Sequence, residues 1–331
     1  MENQTDTSTT ALSISNNGND QFLFTVTLKL WQIFSPIFLM FGTVFNILSF
    51  VVFCHKSMRQ SVTSMLFRIL AILDFLFIYA HPMPAVFYYL FGIEIFTRNN
   101  LTCKVFWFWL NSSRALSSWV LVFISVERLI CVYEPHLAKI KFTKERAFIG
   151  ISVICIIVIG LCMFIPFIVE TFILRDNQGN VVQRFCKATG LNSPFLRYYA
   201  DYVFPWVDFF LYTGIPFVCM LICNVAIIIN LNIAKRKRQN VTHNAEQSKS
   251  QTHGLTAMLL TVSFAFLLQT ASINIYFISN YTIISPWVYM WNSVSFLLLY
   301  ANHSINFLLY CISGKRFRDA LMQILHCKAD L

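Results

Sequence analysis

Cys103–Pro135 reads CKVFWFWLNSSRALSSWVLVFISVERLICVYEP, and between Lys104 and Glu127 its only charge is Arg114. At about 1.5 Å rise per helical residue, Cys103 and Arg128 would lie roughly 37 Å apart. That exceeds a hydrocarbon core of about 30 Å, so the segment spans a bilayer from side to side. Arg114, Ser117, Leu121, Ile124 and Arg128 follow at steps of three and four and therefore share one face. Lipid would not tolerate an Arg in mid-span or a Glu-Arg pair at the end, so this face looks into protein. The segment reads as the central helix of a bundle.

The rest of the chain agrees. It has 331 residues, 57% hydrophobic and 12% charged, with a mean hydropathy of +0.61. Soluble domains carry about 25% charged residues. Seven apolar stretches are long enough to span, at Leu30–Cys54, Met65–Leu90, Val105–Val132, Ala147–Thr171, Val203–Ile233, Thr256–Ser279 and Pro286–Ile312. The expected fold is an all-α seven-helix membrane bundle. Residues 1–28 form a disordered outer tail, 29–312 the bundle, and 313–331 a short amphipathic helix with an inner tail. Met1–Gln21 is polar and lacks Lys and Arg, so no secretory leader is expected.

The net charge of +10 is a matter of topology and does not indicate nucleic acid. Lys56, Arg59, Lys139, Lys141, Lys144, Arg146, Lys235–Arg238, Lys249, Lys315, Arg316, Arg318 and Lys328 give one side fifteen basic residues. The other side carries seven, namely Lys29, Arg98, Lys104, Arg175, Arg184, Lys187 and Arg197. The asymmetry sets the N-terminus outside, and the basic side faces anionic lipid. Cys103 and Cys186 both fall on the oxidising outer side, where a bridge is expected. Closing such a loop contributes roughly 4–5 kcal/mol on a chain-entropy argument. Asn3, Asn100 and Asn280 are outer glycosylation acceptors; Asn111 and Asn302 match the same pattern but lie within spans.

Local signals refine the picture. His81-Pro82-Met83-Pro84 should kink or break the second helix. Two β-rich runs around Asp176-Asn177-Gln178-Gly179-Asn180 read as a hairpin that lays Cys186 over the central helix. The polar loop Lys235–Thr252 follows the fifth helix. After Gly314, an interfacial helix should carry Phe317, Leu321, Ile324 and Leu325 on one face, with Cys327 at its end as a palmitoylation candidate.

With these pieces placed, Leu30–Leu325 resembles a rhodopsin-class (class A) G-protein-coupled receptor. The motifs come in order: Asn46, Asp74 in LAILD, Cys103, Glu127-Arg128-Leu129 with Pro135 beyond, Cys186, Pro216, and Asn306–Tyr310 before GKRFR. Some positions depart from the family pattern. Leu129 replaces the usual Tyr and Asn224 stands where Tyr is common. Thr270 and Ser272 stand where the sixth helix often has Trp and its kink proline, and Asn306–Tyr310 lacks a proline. Fragments such as CNVAIIINLNIAKRKR and NHSINFLLYCISGKRFR are further similar to invertebrate neuropeptide receptors of the FMRFamide-receptor-like type.

The resemblance implies a plasma-membrane receptor for an extracellular ligand, a peptide, with a heterotrimeric G protein and arrestin as inner partners. Glu127, Arg128, Asn306 and Tyr310 would form the coupling switch. Thr252 supplies no second acid to hold Arg128, which implies measurable agonist-free signalling. Asp74, Ser117, Asn302 and Asn306 match the family's sodium positions, and no other cofactor is expected. An unpaired Arg within the span would cost several kcal/mol, so Arg114 needs a partner. Asp208, eight residues before Pro216, is the first choice and Glu170 a rival. Tyr276, Phe277, Phe296 and Tyr300 would wall the ligand pocket.

Other classes fit less well. The seventh span has no Lys for a Schiff base, and an amine receptor would need an Asp at Leu110. No internal repeat suggests a transporter, and no catalytic constellation suggests an enzyme. A small-molecule chemosensory receptor on the same scaffold is the alternative.

Overall fold

The computed structural model describes residues 18–134, 136, 138, 140, 142–175, 178–179, 181–188, 193–239, 261–273, 275–276 and 285–327. Asn3, Pro135, Thr252, Phe277 and Asn280, all singled out in the sequence, lie outside these residues.

Helix α1 runs Gly18–Cys54, so residues 18–28, which the sequence assigned to the tail, are helical. The reason is local. Asp20 lies in the first turn, where a negative charge meets the positive helix end. Leu23, Thr27, Trp31 and Ser35 then repeat every four residues and are buried. The opposite face, with Ile33, Met40 and Ile47, is exposed apolar surface suited to lipid. At Gly42 an added Cβ would come 2.7 Å from Ile78 and 2.8 Å from Ser304. This glycine lets α1 approach both α2 (Val62–Phe91) and α7 (Pro286–Ser304 and Asn306–Ile312) closely.

Helix α2, Val62–Phe91, starts on Ser61, whose side chain accepts from the Ser64 amide. It breaks at His81, and Pro82 opens its second segment, as the two prolines lead one to expect. Helix α3, Asn100–Tyr133, begins with a capping box between Asn99 and Thr102. It packs on α2, on α4 (Lys144–Ile168), on α5 (Pro194–Asn230) and on the hairpin. Of its most apolar window 56% is buried, against 22% for α4, which confirms α3 as the centre. Arg114, Ser117, Leu121 and Ile124 are all buried along the expected face.

Helix α4, Lys144–Ile168, gives way at Val169 to strand β1, Val169–Arg175, which pairs antiparallel with β2, Val181–Ala188. Thr171 and Glu170 therefore lie on the hairpin and not on the fourth helix. Gly179, in the turn, has φ +84°, a conformation a side chain would strain. Helix α5, Pro194–Asn230, contains π-helical turns at Tyr199–Val203 and Phe210–Gly214. Its backbone stays helical to Gln239, so the KRKR run extends a helix instead of opening a loop.

Helix α6 is described over Thr261–Ile273, and α7 joins Pro286–Ser304 to Asn306–Ile312 across a 54° bend. Among the described residues five helices are long and apolar enough to cross a membrane; the bent α7 makes a sixth and α6 is a shorter apolar helix. Helix α8, Lys315–Cys327, buries Phe317 and Ala320, with Leu321 and Ile324 half-buried against the core. Leu325 departs from the expected face: it is exposed beside Met322, where an interfacial helix would meet lipid.

Candidate functional site

The hairpin end of the bundle holds a cavity of about 390 Å³. Its floor is an ion pair between Arg114 Nη2 on α3 and Asp208 Oδ1 on α5. The two side chains are 5% and 10% exposed, so water does little to screen them. Arg114 Nη2 also donates to Asn111 Oδ1 at 2.5 Å. The Arg114 guanidinium carbon lies 4.3 Å from the Tyr212 ring centroid, a cation–π contact. A buried Arg thus acquires the partner that the sequence demanded. Asn111 could have been foreseen, because it sits one helical turn before Arg114.

The cavity's lid is β2. Cys103, at the top of α3, is bonded to Cys186 with 5.7 Å between Cα atoms. Asn100 Oδ1 accepts from the Thr171 amide at 3.3 Å, tying β1 to the same helix end. Asn100 therefore sits in the first turn of α3 and not in a loop. Arg184 and Cys186 of β2 line the cavity.

A second cavity of about 270 Å³ shares His81, Tyr88, Tyr89, Phe106 and Phe296 with the first. It extends toward Trp31 and Ser293, which hydrogen-bond each other at 2.8 Å, and toward Glu94, which accepts from Thr97 Oγ1 at 3.2 Å. The two lobes differ in character: one has a charged floor, the other aromatic walls and one carboxylate.

Of the expected wall residues, Phe296 lines both lobes. Tyr300 does not reach the cavity. It is fully buried behind His81, whose Nδ1 is hydrogen-bonded to the Tyr300 hydroxyl. Tyr276 packs against Trp291, with ring centroids 6.5 Å apart, and is not among the lining residues. His81 itself, noticed in the sequence only as part of a kink, separates the lobes from the core below.

Mid-bundle, Asp74 Oδ1 is bonded to His303 Nδ1 and Asp74 Oδ2 to Asn306 Nδ2, both at 2.7 Å. Asn302 on α7 and Ser117 on α3 are also buried. His303 gave no signal of its own, being read only inside a glycosylation-like triplet.

At the opposite end Arg128 Nε lies 3.0 Å from Glu127 Oε2. Thr63 Oγ1 donates to the same carboxylate at 3.0 Å, so α2 grips the acid that neutralises Arg128. Asn306 bonds Asp74 and Tyr310 packs among Phe53, Phe67 and Phe317. The four expected switch residues thus form two separate groups, one around Glu127 and one around α7. The departures from the motif pattern are filled too. Ser272 bonds Ser295 at 2.6 Å and receives Trp291 Nε1 at 3.1 Å. Asn224 donates to Ser263 at 2.9 Å.

Residues 45–310 match the family described as 7 transmembrane receptor (rhodopsin family). Similar proteins include growth hormone secretagogue receptor type 1 of Sus scrofa, 26% identical over 307 residues, covering 86% of this chain and 77% of that protein. Galanin receptor type 1 of Homo sapiens is 20% identical over 271 residues, covering 81% and 73%. The FMRFamide receptor of Drosophila melanogaster is 24% identical over 295 residues, covering 86% and 51%.

Proposed function

The chain belongs to the rhodopsin family of seven-transmembrane receptors, and from that premise we propose that it is a neuropeptide receptor at the cell surface. It is a receptor and not an enzyme. Ligand binding at the hairpin end would be converted into activation of a heterotrimeric G protein at the Arg128 end. The similar proteins support a peptide, since they are named as growth hormone secretagogue, galanin and FMRFamide receptors. Nothing in the site favours the small-molecule chemosensory alternative.

The observation that carries the reading is the two-lobed cavity under a disulfide-tethered hairpin. Its charged floor and aromatic side lobe suit a ligand with several side chains. A basic agonist residue would meet Asp208, or Glu94 in the second lobe, and release Arg114 toward peptide carbonyls. Exchanging one charged contact for another lets a ligand bias the bundle without stranding a buried charge. The N-terminus is outside in this reading. Arrestin would share the inner surface with the G protein, and α8 with its Lys315, Arg316 and Arg318 would lie against anionic lipid.

A screen of amidated peptides with parallel calcium and cyclic-nucleotide readouts tests the proposal. A peptide that signals should lose about tenfold or more in potency on Asp208→Asn if it carries a basic residue, and much less if that residue is neutral. Equal losses would confine Asp208 to neutralising Arg114. Signalling by small odorants alone would reject the peptide reading.

A further inference from the structure

The resemblance implies a sodium ion among Asp74, Ser117, Asn302 and Asn306, and the donor set around Asp74 does not suit one. A hard cation wants oxygen. Both carboxylate oxygens of Asp74 already accept hydrogen bonds from nitrogen, from His303 Nδ1 and Asn306 Nδ2. An amide that gives its nitrogen to a carboxylate directs its oxygen elsewhere, so Asn306 is lost as an oxygen ligand. Asp74 and His303 are 2% and 1% exposed at their side chains.

His303 is also fixed in place. Its ring stacks on Phe77 with centroids 3.9 Å apart. Its carbonyl accepts from Asn46 Nδ2 at 2.9 Å, and the same Asn46 nitrogen donates to Gly42 O at 2.9 Å. Among the described residues His303 Nε2 is buried without a partner. A bare ring nitrogen is the cheaper occupant of such a place, which leaves the ring proton on Nδ1, facing Asp74.

His303 and Asn306 flank Ile305, where α7 bends by 54°. Sharp bends usually have a proline, a glycine pair, a π-bulge or an inserted side chain as their cause. This bend has no proline at Asn306–Tyr310. Instead one carboxylate from α2 holds a donor on each side of it.

We propose that His303 takes the position of the cation: its Nδ1–H on Asp74 replaces the ion and clamps the α7 bend to α2, so the receptor does not respond to sodium. The claim concerns the unliganded protein and is independent of which peptide it binds. The test is thermal unfolding of the purified full-length receptor in sodium chloride and in N-methylglucamine chloride, each at about 0.15 M. The wild-type midpoints should coincide. In His303→Ser, which clears the imidazole and offers an oxygen, sodium should raise the midpoint by about 3 °C or more, the order expected when an ion binds the folded state alone. Adding Asp74→Asn should abolish that rise, which separates a site at Asp74 from a general salt effect. His303→Ala also clears the position and carries the comparison if the Ser variant does not fold. A saturable sodium-dependent rise in the wild type, removed by Asp74→Asn, would overturn the proposal. So would cleared variants that stay indifferent to sodium, because the imidazole would then not be what takes the ion's place.

Discussion

Asp208→Asn keeps the shape of the side chain and removes its charge, leaving Arg114 in a site where it is 4% exposed. Breaking one partner of a buried ion pair costs about 3–5 kcal/mol. Two contacts survive the change, the Asn111 side-chain oxygen Oδ1 at 2.5 Å and the Tyr212 face at 4.3 Å. They hold the guanidinium without neutralising it, which places the loss at the lower end, about 3 kcal/mol. At about 2–4 °C per kcal/mol the unfolding midpoint should fall by roughly 6–12 °C. A thiol-reactive dye suits the assay, because Cys162 and Cys223 are buried and free and become reactive on unfolding. Arg114→Met with Asp208→Leu should recover most of the loss, since a buried pair exchanged for apolar groups is often close to neutral. The cycle of single and double variants should show a coupling of about 2 kcal/mol or more. A fall of under about 2 °C for Asp208→Asn, or strictly additive variants, would refute the view that these charges depend on each other.

Other consequences are open to measurement. Cys103→Ala should release β2 from α3, leaving the Asn100–Thr171 bond to hold the hairpin, and abolish surface expression or ligand binding; a variant that binds and signals normally would show that the bridge does not anchor the lid. Gly42→Leu should cost at least about 1–3 kcal/mol by overpacking, read as a lower midpoint, because a Cβ alone already comes 2.7 Å from Ile78; an unchanged midpoint would contradict the close α1 contact. Thr63→Ala should loosen Glu127 and raise agonist-independent nucleotide exchange by about tenfold, the factor matching 1.4 kcal/mol; unchanged basal exchange would remove Thr63 from the resting contacts.

Much of this was legible from residue types because the membrane punishes error. Arg114 within an apolar span had to have a partner, and of the two carboxylates in reach by sequence, Asp208 and Glu170, it is Asp208 that pairs with it. Pro82 and Pro84 broke α2 where their missing amides required it, and Gly179 sat in the hairpin turn. What escaped notice was carried by residues with two roles. His303 looks like a filler between Asn302 and Ser304 until the 54° bend brings it onto Asp74. The bend itself could not be read from the sequence, since its usual cause, a proline, is absent. Glu94 lies outside any regular element, so no periodicity points it at a cavity. The early start of α1 escaped because Gly18–Lys29 is too polar for a hydropathy window, though its four-residue stripe is buried. Helical position alone puts Tyr276 and Tyr300 at the pocket, but the side chains meet Trp291 and His81 instead.

The most direct test of a peptide-driven receptor is nucleotide exchange on a purified heterotrimeric G protein, with an active amidated peptide and the receptor in lipid. The wild type should accelerate exchange on adding peptide, and Arg128→Ala should bind the labelled peptide with unchanged affinity yet give no acceleration. Full acceleration by Arg128→Ala, or none by the wild type with peptide bound, would contradict the coupling of the hairpin-end cavity to the Glu127–Arg128 end.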